Sequence, residues 1–269
     1  MDTDILAFIG GGNMAGALIG GLLQRGIRPE QLIVIEPWAA QREKLAAQFG
    51  LQALAAAGPA LARASTVVWA VKPQSFAEAA QPCRDWITGA LQLSVMAGIR
   101  SERLVAATGS QRIVRAMPNT PALIGQGIAG LFAREAVSAA ERAQAEALLA
   151  PTGRLLWVAQ EADLDAVTAL SGSGPAYVFY LLEAMEAAAV QMGLPPEQGR
   201  ALAQATVAGA AALAAQSSDA PAVLRAQVTS KGGTTHAAIS SLEAAGVGPA
   251  IVAAIRAAQH RAGELGDQF

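Results

Sequence analysis

Cysteine, histidine and aromatic residues are close to absent from this sequence, and each scarcity removes a class of function. A single cysteine, Cys83, excludes an internal disulfide and any cysteine cluster. With only His236 and His260 beside it, the chain lacks the ligands of an imidazole or thiolate metal site, and none is expected. Aromatics at 4% argue against the base-stacking platforms of nucleic-acid binding, and a formal net charge of −2 creates no field that gathers nucleic acid or an anionic membrane. Charged residues make up only 15%, against 53% hydrophobic, which argues against disorder. Lysine occurs three times, at Lys44, Lys72 and Lys231.

What is present points to a packed globular protein. The 269 residues suffice for one large domain or two ordinary ones. The start, "MDTDILAFIG", carries two aspartates and no basic n-region, and reads as a strand rather than a signal peptide. Residues 201–218 are uncharged but alanine-rich, with Gln204, Thr206, Gly209 and Gln216 among them, so a packed helix is expected rather than a membrane span. A cytoplasmic protein is the expectation, with neither nucleic acid nor membrane as partner.

The two halves have different rhythms. In the first, short β-branched runs, "ILAFIG" (5–10), "LIVIE" (32–36), "TVVWAV" (66–71), "LQLSVM" (91–96) and "RIVRAM" (112–117), predict strands. Helical stretches over 13–25 and 38–48 lie between them. "GIAGLF" (127–132) and "RLLWV" (154–158) add edge strands flanking a helix over 138–149. This alternation implies an α/β fold with a mostly parallel, doubly wound Rossmann sheet over residues 1–160. Strand signals then stop. Residues 161–269 read as an all-helical domain, with helices over 162–192, 196–216, 219–228, 234–245 and 247–265. Those helices are too rich in small apolar residues for one covering layer, which predicts dimerisation through them.

The first chemical motif is "FIGGGNMAGAL". It sets Gly10, Gly12 and Ala15 in a G-x-G-x-x-A pattern between a strand and a helix. Gly10 permits the tight turn, Gly12 lets a pyrophosphate approach the backbone, and Ala15 keeps the helix close to the sheet. Amides and the helix dipole at residues 12–15 would hold the phosphates. The next strand ends at Glu36, where an acid usually grips the ribose 2′-OH and repels a 2′-phosphate. "PWAAQREK" follows at once, however, and Arg42 or Lys44 could curl back to such a phosphate, leaving the cofactor as NADPH or NADH.

Two more loops fall at carboxyl ends of strands, where open α/β sheets bind ligands: "WAVKPQ" with Lys72-Pro73, and "MPNTPA" with Asn119 and Thr120. Both should border the nicotinamide, with Lys72 supporting the loop rather than acting as an acid. Deep in the second half, "TSKGGTTHAA" (229–238) puts Gly232 and Gly233 before a helical run. Glycines there let successive amides turn inward as an anion-binding nest at a helix N-terminus, and Ser230, Thr234 and Thr235 add hydroxyl donors. Each good hydrogen bond to a carboxylate contributes about 1.5–3 kcal/mol, so three would orient a small acid. Upstream, "LSGSGPAY" (170–177) interrupts a long helical pattern and allows close backbone approach.

Taken in order, "IGGGNMA", "AVKPQ", "MPNTP", "SGSGPAY" and "VTSKGGTT" resemble pyrroline-5-carboxylate reductase across nearly the full chain. The resemblance implies reduction of 1-pyrroline-5-carboxylate to L-proline with NAD(P)H, the last step of proline biosynthesis. It implies an N-terminal Rossmann domain, a helical C-terminal domain interlocked with its mate, and dimers assembled further into rings. It also implies that Gly10, Gly11, Gly12, Asn13, Met14 and Ala15 cradle the pyrophosphate. Ala70, Val71, Lys72 and Pro73, with Asn119, would line ribose and nicotinamide. Ser230, Gly232, Gly233, Thr234 and Thr235 would hold the substrate carboxylate across the dimer interface, Thr235 lying near the ring nitrogen as the catalytic residue. Three departures stand out: Lys231 replaces the usual proline, the stretch before "VVWAVKP" lacks the asparagine often used near the adenosine, and Glu36-Pro37 differs from the Ser/Asn-Arg pairs associated with NADPH.

A protonated imine is already electrophilic, so a strong general acid is less necessary than for a ketone; His236 is a weak candidate for that role. A β-hydroxyacid dehydrogenase shares the plan but needs a proton donor, usually lysine, on the long helix, and residues 165–192 contain no lysine, arginine or histidine. A dinucleotide sensor would share the glycine motif but would have no use for the nest.

Overall fold

Alternation along the first strand sets the layers. In β1 (Leu6–Ile9), Leu6 and Phe8 join one buried cluster while Ala7 and Ile9 join another, so the sheet is covered on both faces. The computed structural model describes residues 4–268; the first three residues and Phe269, including the outer limits of the two expected domains, lie outside it. The remaining strands are β2 (Leu32–Ile35), β3 (Thr66–Trp69), β4 (Leu91–Ser94), β5 (Ile113–Met117), β6 (Gly127–Ala133) and β7 (Gly153–Trp157). Their order is β2-β1-β3-β4-β5-β6-β7, and every neighbouring pair is parallel except β5 and β6. Phe8 sits in register with Val34 on one side and Val68 on the other.

Helices cover each face with apolar residues at helical spacing. Helix α1 (Asn13–Gln24) buries Ala15, Leu18, Ile19 and Leu22, and α2 (Ala39–Phe49) adds Leu45. The opposite face takes α3 (Phe76–Ala80), α4 (Arg84–Ile87) and α5 (Ser101–Thr108), through Phe76, Ala80, Ile87 and Leu104. None of these three short helices was anticipated from the sequence. Trp69 meets Phe76 edge to face at 5.2 Å, and its indole N–H donates to the fully buried Gln92, which in turn donates to the carbonyls of Ile87 and Ala90. A polar side chain in this core is therefore fully paired. Cys83 is buried on the same face, and burial pushes its thiol up to about 11, so it is no nucleophile. Helix α6 (Ala139–Leu149) starts on a reciprocal cap between Ser138 and Glu141.

The single helix expected over 162–192 is broken in two. Helix α7 (Asp163–Val167) passes into a π turn over Thr168–Gly172, where the Ser173 N–H reaches back five residues to the Thr168 carbonyl at 2.8 Å. Helix α8 (Gly174–Gln191) then begins with Pro175 in its first turn, where a missing N–H costs nothing. Next come α9 (Pro196–Gln216), α10 (Pro221–Gln227), α11 (Thr234–Ala244) and α12 (Val247–Gln268).

The chain forms two compact units. One holds the sheet, its helices and the chain through Ser173, together with the residues from Ala258 onward; the other is Gly174–Ala257. In the second unit, Gly199 of α9 meets Ala189 of α8 so closely that a Cβ at 199 would lie 2.7 Å from the alanine methyl. Much of this unit's apolar surface stays uncovered, with Tyr180 75% and Leu213 70% exposed. Among the described residues no single helix is long and apolar enough to cross a membrane.

Candidate functional site

Where the strand order turns around β1, three strand ends are tied together by backbone. Gly10 adopts φ +97°, and a Cβ there would stand 2.7 Å from the Ala70 carbonyl oxygen and 3.0 Å from Val71 Cγ1. Only glycine fits this turn. Its N–H donates to the Ile35 carbonyl of β2 at 2.9 Å, while the Ala70 N–H donates to Ile9 of β1. Gly12 differs in kind. It caps α1 with no side-chain partner, it is exposed, and no atom stands within 4 Å of the place its Cβ would occupy. The amides that open α1, through Asn13, Met14 and the buried Ala15, therefore begin at an open, dipole-positive end. A dinucleotide pyrophosphate fits this cradle because the glycine at 12 leaves its approach free.

Glu36 stands at the end of β2, buried, and both its carboxylate oxygens already accept from backbone: Oε2 from the Gly11 N–H at 2.9 Å and Oε1 from the Trp38 N–H at 3.0 Å. The carboxylate thus braces the glycine turn while each oxygen keeps a further lone pair. Arg42 does curl back, but onto backbone: its Nη1 donates to the carbonyls of Glu36 and Pro37 at 2.9 and 2.7 Å. Lys44 lines a different groove, between α1 and α2 beside Gly16 and Phe49. Beside the strand ends a cavity of about 410 Å³ opens between Trp38 and the segment Ala55–Ala57, floored by Gly10 and Val71.

The loop after β3 carries Ala70, Val71, the exposed Lys72 and Pro73, which opens a short 3-10 turn through Ser75. After β5, the Asn119 side chain is engaged on both sides: Oδ1 accepts from Ile128 N–H at 3.0 Å and Nδ2 donates to the Ser171 carbonyl at 3.2 Å. That carbonyl lies in the π turn, and the residue four places on is Pro175, which has no N–H to give it. Gly172, next in the chain, would put a Cβ 2.7 Å from Met117 Cε at the end of β5. Within this unit, then, the "SGSG" glycine admits a neighbouring side chain, and Asn119 lines the strand end by joining two loops.

In the second unit, the loop from α10 into α11 carries the other group of candidate residues. Gly232 takes φ +76° and Gly233 caps α11 with no side-chain partner. The Gly233 N–H is taken by the Ser230 carbonyl at 3.0 Å, which differs from the expectation that both glycine amides face a ligand. This bond closes the turn and leaves the amides of Thr234 and Thr235 at the helix N-terminus. Ser230, Lys231, Gly232 and Thr234 are exposed and Thr235 is half-buried; His236 points into solvent-exposed surface. Thr229 Oγ1 donates to Arg225 O, and Arg225 pairs with Glu243 at 3.2 Å, which ties α10 to α11 on either side of the loop.

Comparison with known proteins decides the family. A family model described as pyrroline-5-carboxylate reductase dimerisation matches residues 161–265, and one described as NADP oxidoreductase, coenzyme F420-dependent, matches residues 5–98. A pyrroline-5-carboxylate reductase of Pseudomonas aeruginosa is 44% identical over 100% of this chain and 99% of its own. The chain belongs to the pyrroline-5-carboxylate reductase family. A solved pyrroline-5-carboxylate reductase from Coxiella burnetii superposes with a TM-score of 0.91 at 35% identity, covering 98% of both chains. The Plasmodium falciparum enzyme, solved with NADP bound, gives 0.88 at 26% identity over 99% of both chains. In this reductase the first matched segment spans β1 to β4 with the glycine turn, and the second spans α7 into α12 with the 229–238 loop.

Sequence reasoning missed two groups. Trp38 escaped notice, although a tryptophan two residues after an acidic strand end, in a chain with so few aromatics, was a readable signal. The second is a polar cluster at the base of α7: Glu161 accepts from Ser101 N–H, Ser101 Oγ and Arg115 Nη1 at 2.5, 2.6 and 2.6 Å, and Arg100 forms a bidentate pair with Asp165 at 3.0 and 2.7 Å. Its members are 46 to 65 residues apart, so no local pattern announces it.

Proposed function

We propose that this reductase converts 1-pyrroline-5-carboxylate to L-proline with its cofactor's pyrophosphate on Gly10 to Ala15 and the substrate carboxylate on the loop before α11. Residues 1–160 take the dinucleotide, and residues 161–269 take the substrate and the dimer contact. The observation that carries this reading is the uncapped start of α11, where a left-handed Gly232 precedes two free first-turn amides and three hydroxyls. Such an end binds an anion, and the family's substrate is a small anionic imine.

When bound, NAD(P)H supplies a hydride to C5 of the imine, whose nitrogen carries the proton that completes the amine. The chain's own task is placement. Gly12, Asn13 and Met14 would hold phosphate oxygens by backbone N–H; Ala70 to Pro73, with Asn119 behind, would border ribose and nicotinamide; Glu36 would face the adenosine ribose. Ser230, Gly232, Gly233, Thr234 and Thr235 form the carboxylate loop, with the Thr235 hydroxyl toward the ring nitrogen. Orientation and water exclusion provide most of the rate enhancement, which suits a site with few titratable groups. Lys231, exposed beside the loop, adds attraction for the incoming acid.

Thr235→Ala is expected to lower kcat/KM by about 10- to 100-fold, the worth of one hydrogen bond to a charged partner, and Thr235→Ser to restore most of it. Unchanged efficiency would remove Thr235 from the mechanism. The reaction itself is tested by following NADH and NADPH oxidation with pyrroline-5-carboxylate; no turnover with either overturns the assignment.

The uncovered apolar surface of the helical unit supports a dimer built through these helices; rings of such dimers and a cytoplasmic location complete the proposal. Light scattering on the purified chain should give a dimer or a multiple of two; a stable monomer at micromolar concentration contradicts it.

A further inference from the structure

The cavity beside the ends of β1, β2 and β3 has an unusual balance of surfaces. On one side stands Trp38, 71% exposed, with its backbone fixed by the hydrogen bond to Glu36 Oε1. The lining also includes the small side chains Ala55, Ala56 and Ala57, in the stretch that lacks the family's asparagine, with Ala79 and Pro82. No lysine or arginine is among the described residues that line it, and the one charged side chain there is Glu78. Arg42, outside the lining, holds its Nη1 on the carbonyls of Glu36 and Pro37, and Lys44 lines another groove. Glu36 sits between Ile35 and Pro37, which do line the cavity, and its carboxylate is anchored in place by two amides.

We propose that this chain selects NADH over NADPH, with Trp38 as the platform on which adenine stacks and Glu36 as the group that discriminates at the 2′ position. A tryptophan in a largely apolar lining suits a purine ring. A ribose 2′-OH can donate to the lone pair that a Glu36 oxygen retains, whereas a 2′-phosphate brings like charge to an immobile carboxylate beside a lining that holds no lysine or arginine. The inference rests on the cofactor assignment above and adds a residue, Trp38, and a direction of preference to it.

Calorimetric titration of the full chain with ADP-ribose and with 2′-phospho-ADP-ribose tests it without turnover. ADP-ribose should bind at least about tenfold tighter, a difference of 1.4 kcal/mol. Equal or reversed affinities overturn the preference alone; binding of neither overturns it together with the cofactor assignment. Glu36→Gln should bring the ratio toward one, and a ratio left at the wild-type value removes Glu36 as the discriminator. Trp38→Ala should weaken both ligands by about tenfold, the effect of losing one stacked base, and leave their ratio unchanged. Undiminished binding of ADP-ribose by that variant overturns the platform. Should Glu36→Gln fail to fold, the wild-type ratio still decides.

Discussion

Gly10→Ala is expected to lower both stability and dinucleotide affinity, whereas Gly12→Ala should lower affinity and leave stability intact. At position 10 the new methyl would stand 2.7 Å from the Ala70 oxygen and 2.9 Å from its carbonyl carbon, and the residue would be held at φ +97°. The dihedral alone costs about 1–3 kcal/mol in a non-glycine residue. Relief of the contact then pushes the β1 turn off the loop after β3, and β1 is also tied here to β2 through Ile35. A melting temperature lower by roughly 5–10 °C follows for a chain of this size. Affinity for NADH or NADPH should fall by about a hundredfold, as expected when binding groups shift by about 1 Å. Position 12 has ordinary extended dihedrals, φ −70° and ψ −168°, and no atom within 4 Å of the added methyl. The protein loses nothing, and the methyl occupies only the approach reserved for phosphate. Calorimetry of unfolding and of binding on the two variants separates the cases. If Gly12→Ala binds the dinucleotide as tightly as the wild type, the pyrophosphate does not lie over the start of α1.

The difference between these two glycines also shows what sequence can and cannot disclose. The G-x-G-x-x-A spacing located the turn because its chemistry is local: a strand, a tight turn and a helix start within a dozen residues. The same holds in part for Gly232 and Gly233, whose position before an alanine-rich run marked a helix start, although the Gly233 amide is taken by the Ser230 carbonyl. Periodicity placed all seven strands, and the long helices other than the one expected over 162–192, to within a few residues, since β-branched runs and alanine runs differ in period. Orientation was harder. Nothing in "GIAGLF" states that β6 runs against β5, because both directions bury the same alternate residues. The π turn was invisible for a related reason: "LSGSGP" announces an interruption, but its form depends on Asn119, about 50 residues upstream, meeting the Ser171 carbonyl. Glu36 was legible as a residue for the ribose but not as the acceptor for the Gly11 amide 25 residues before it. Short helices α3 to α5 carry too few turns for a helical period to emerge.

Glu161→Gln should destabilise the chain by about 3 kcal/mol, the lower end of the cost of breaking a buried ion pair, and the loss should depend on pH. Arg115 projects from β5 into the core with 5% exposure, and its Nε has no hydrogen-bond partner among the described residues. Burial pulls its guanidinium downward, against the ion pair that supports it, yet arginine remains charged at any pH the fold survives. Glu161 is its bonded counter-charge, and without it a buried cation stands with only the more distant Asp165 for relief. Burial pushes the Glu161 carboxyl up, but hydrogen bonds from Ser101 and the pair with Arg115 outweigh it, and the net shift is below the ordinary 4.5. A carboxylate so lowered stabilises the fold fully above its ordinary value and loses that contribution as pH falls through the lower folded-state value. The melting temperature of Glu161→Gln should therefore lie roughly 6–12 °C below wild type at pH 7, with the gap closing as pH falls below about 4.5. A gap that stays constant down to pH 3 contradicts the ion pair as the cause. The same cluster gathers the start of α5 through Ser101, the end of β6 through Arg134 on Ser101 Oγ, and α7 through the Arg100–Asp165 pair. Its loosening frees the base of α7, five residues before the π turn that Asn119 holds, so kcat should fall in Glu161→Gln even at temperatures where the protein stays folded.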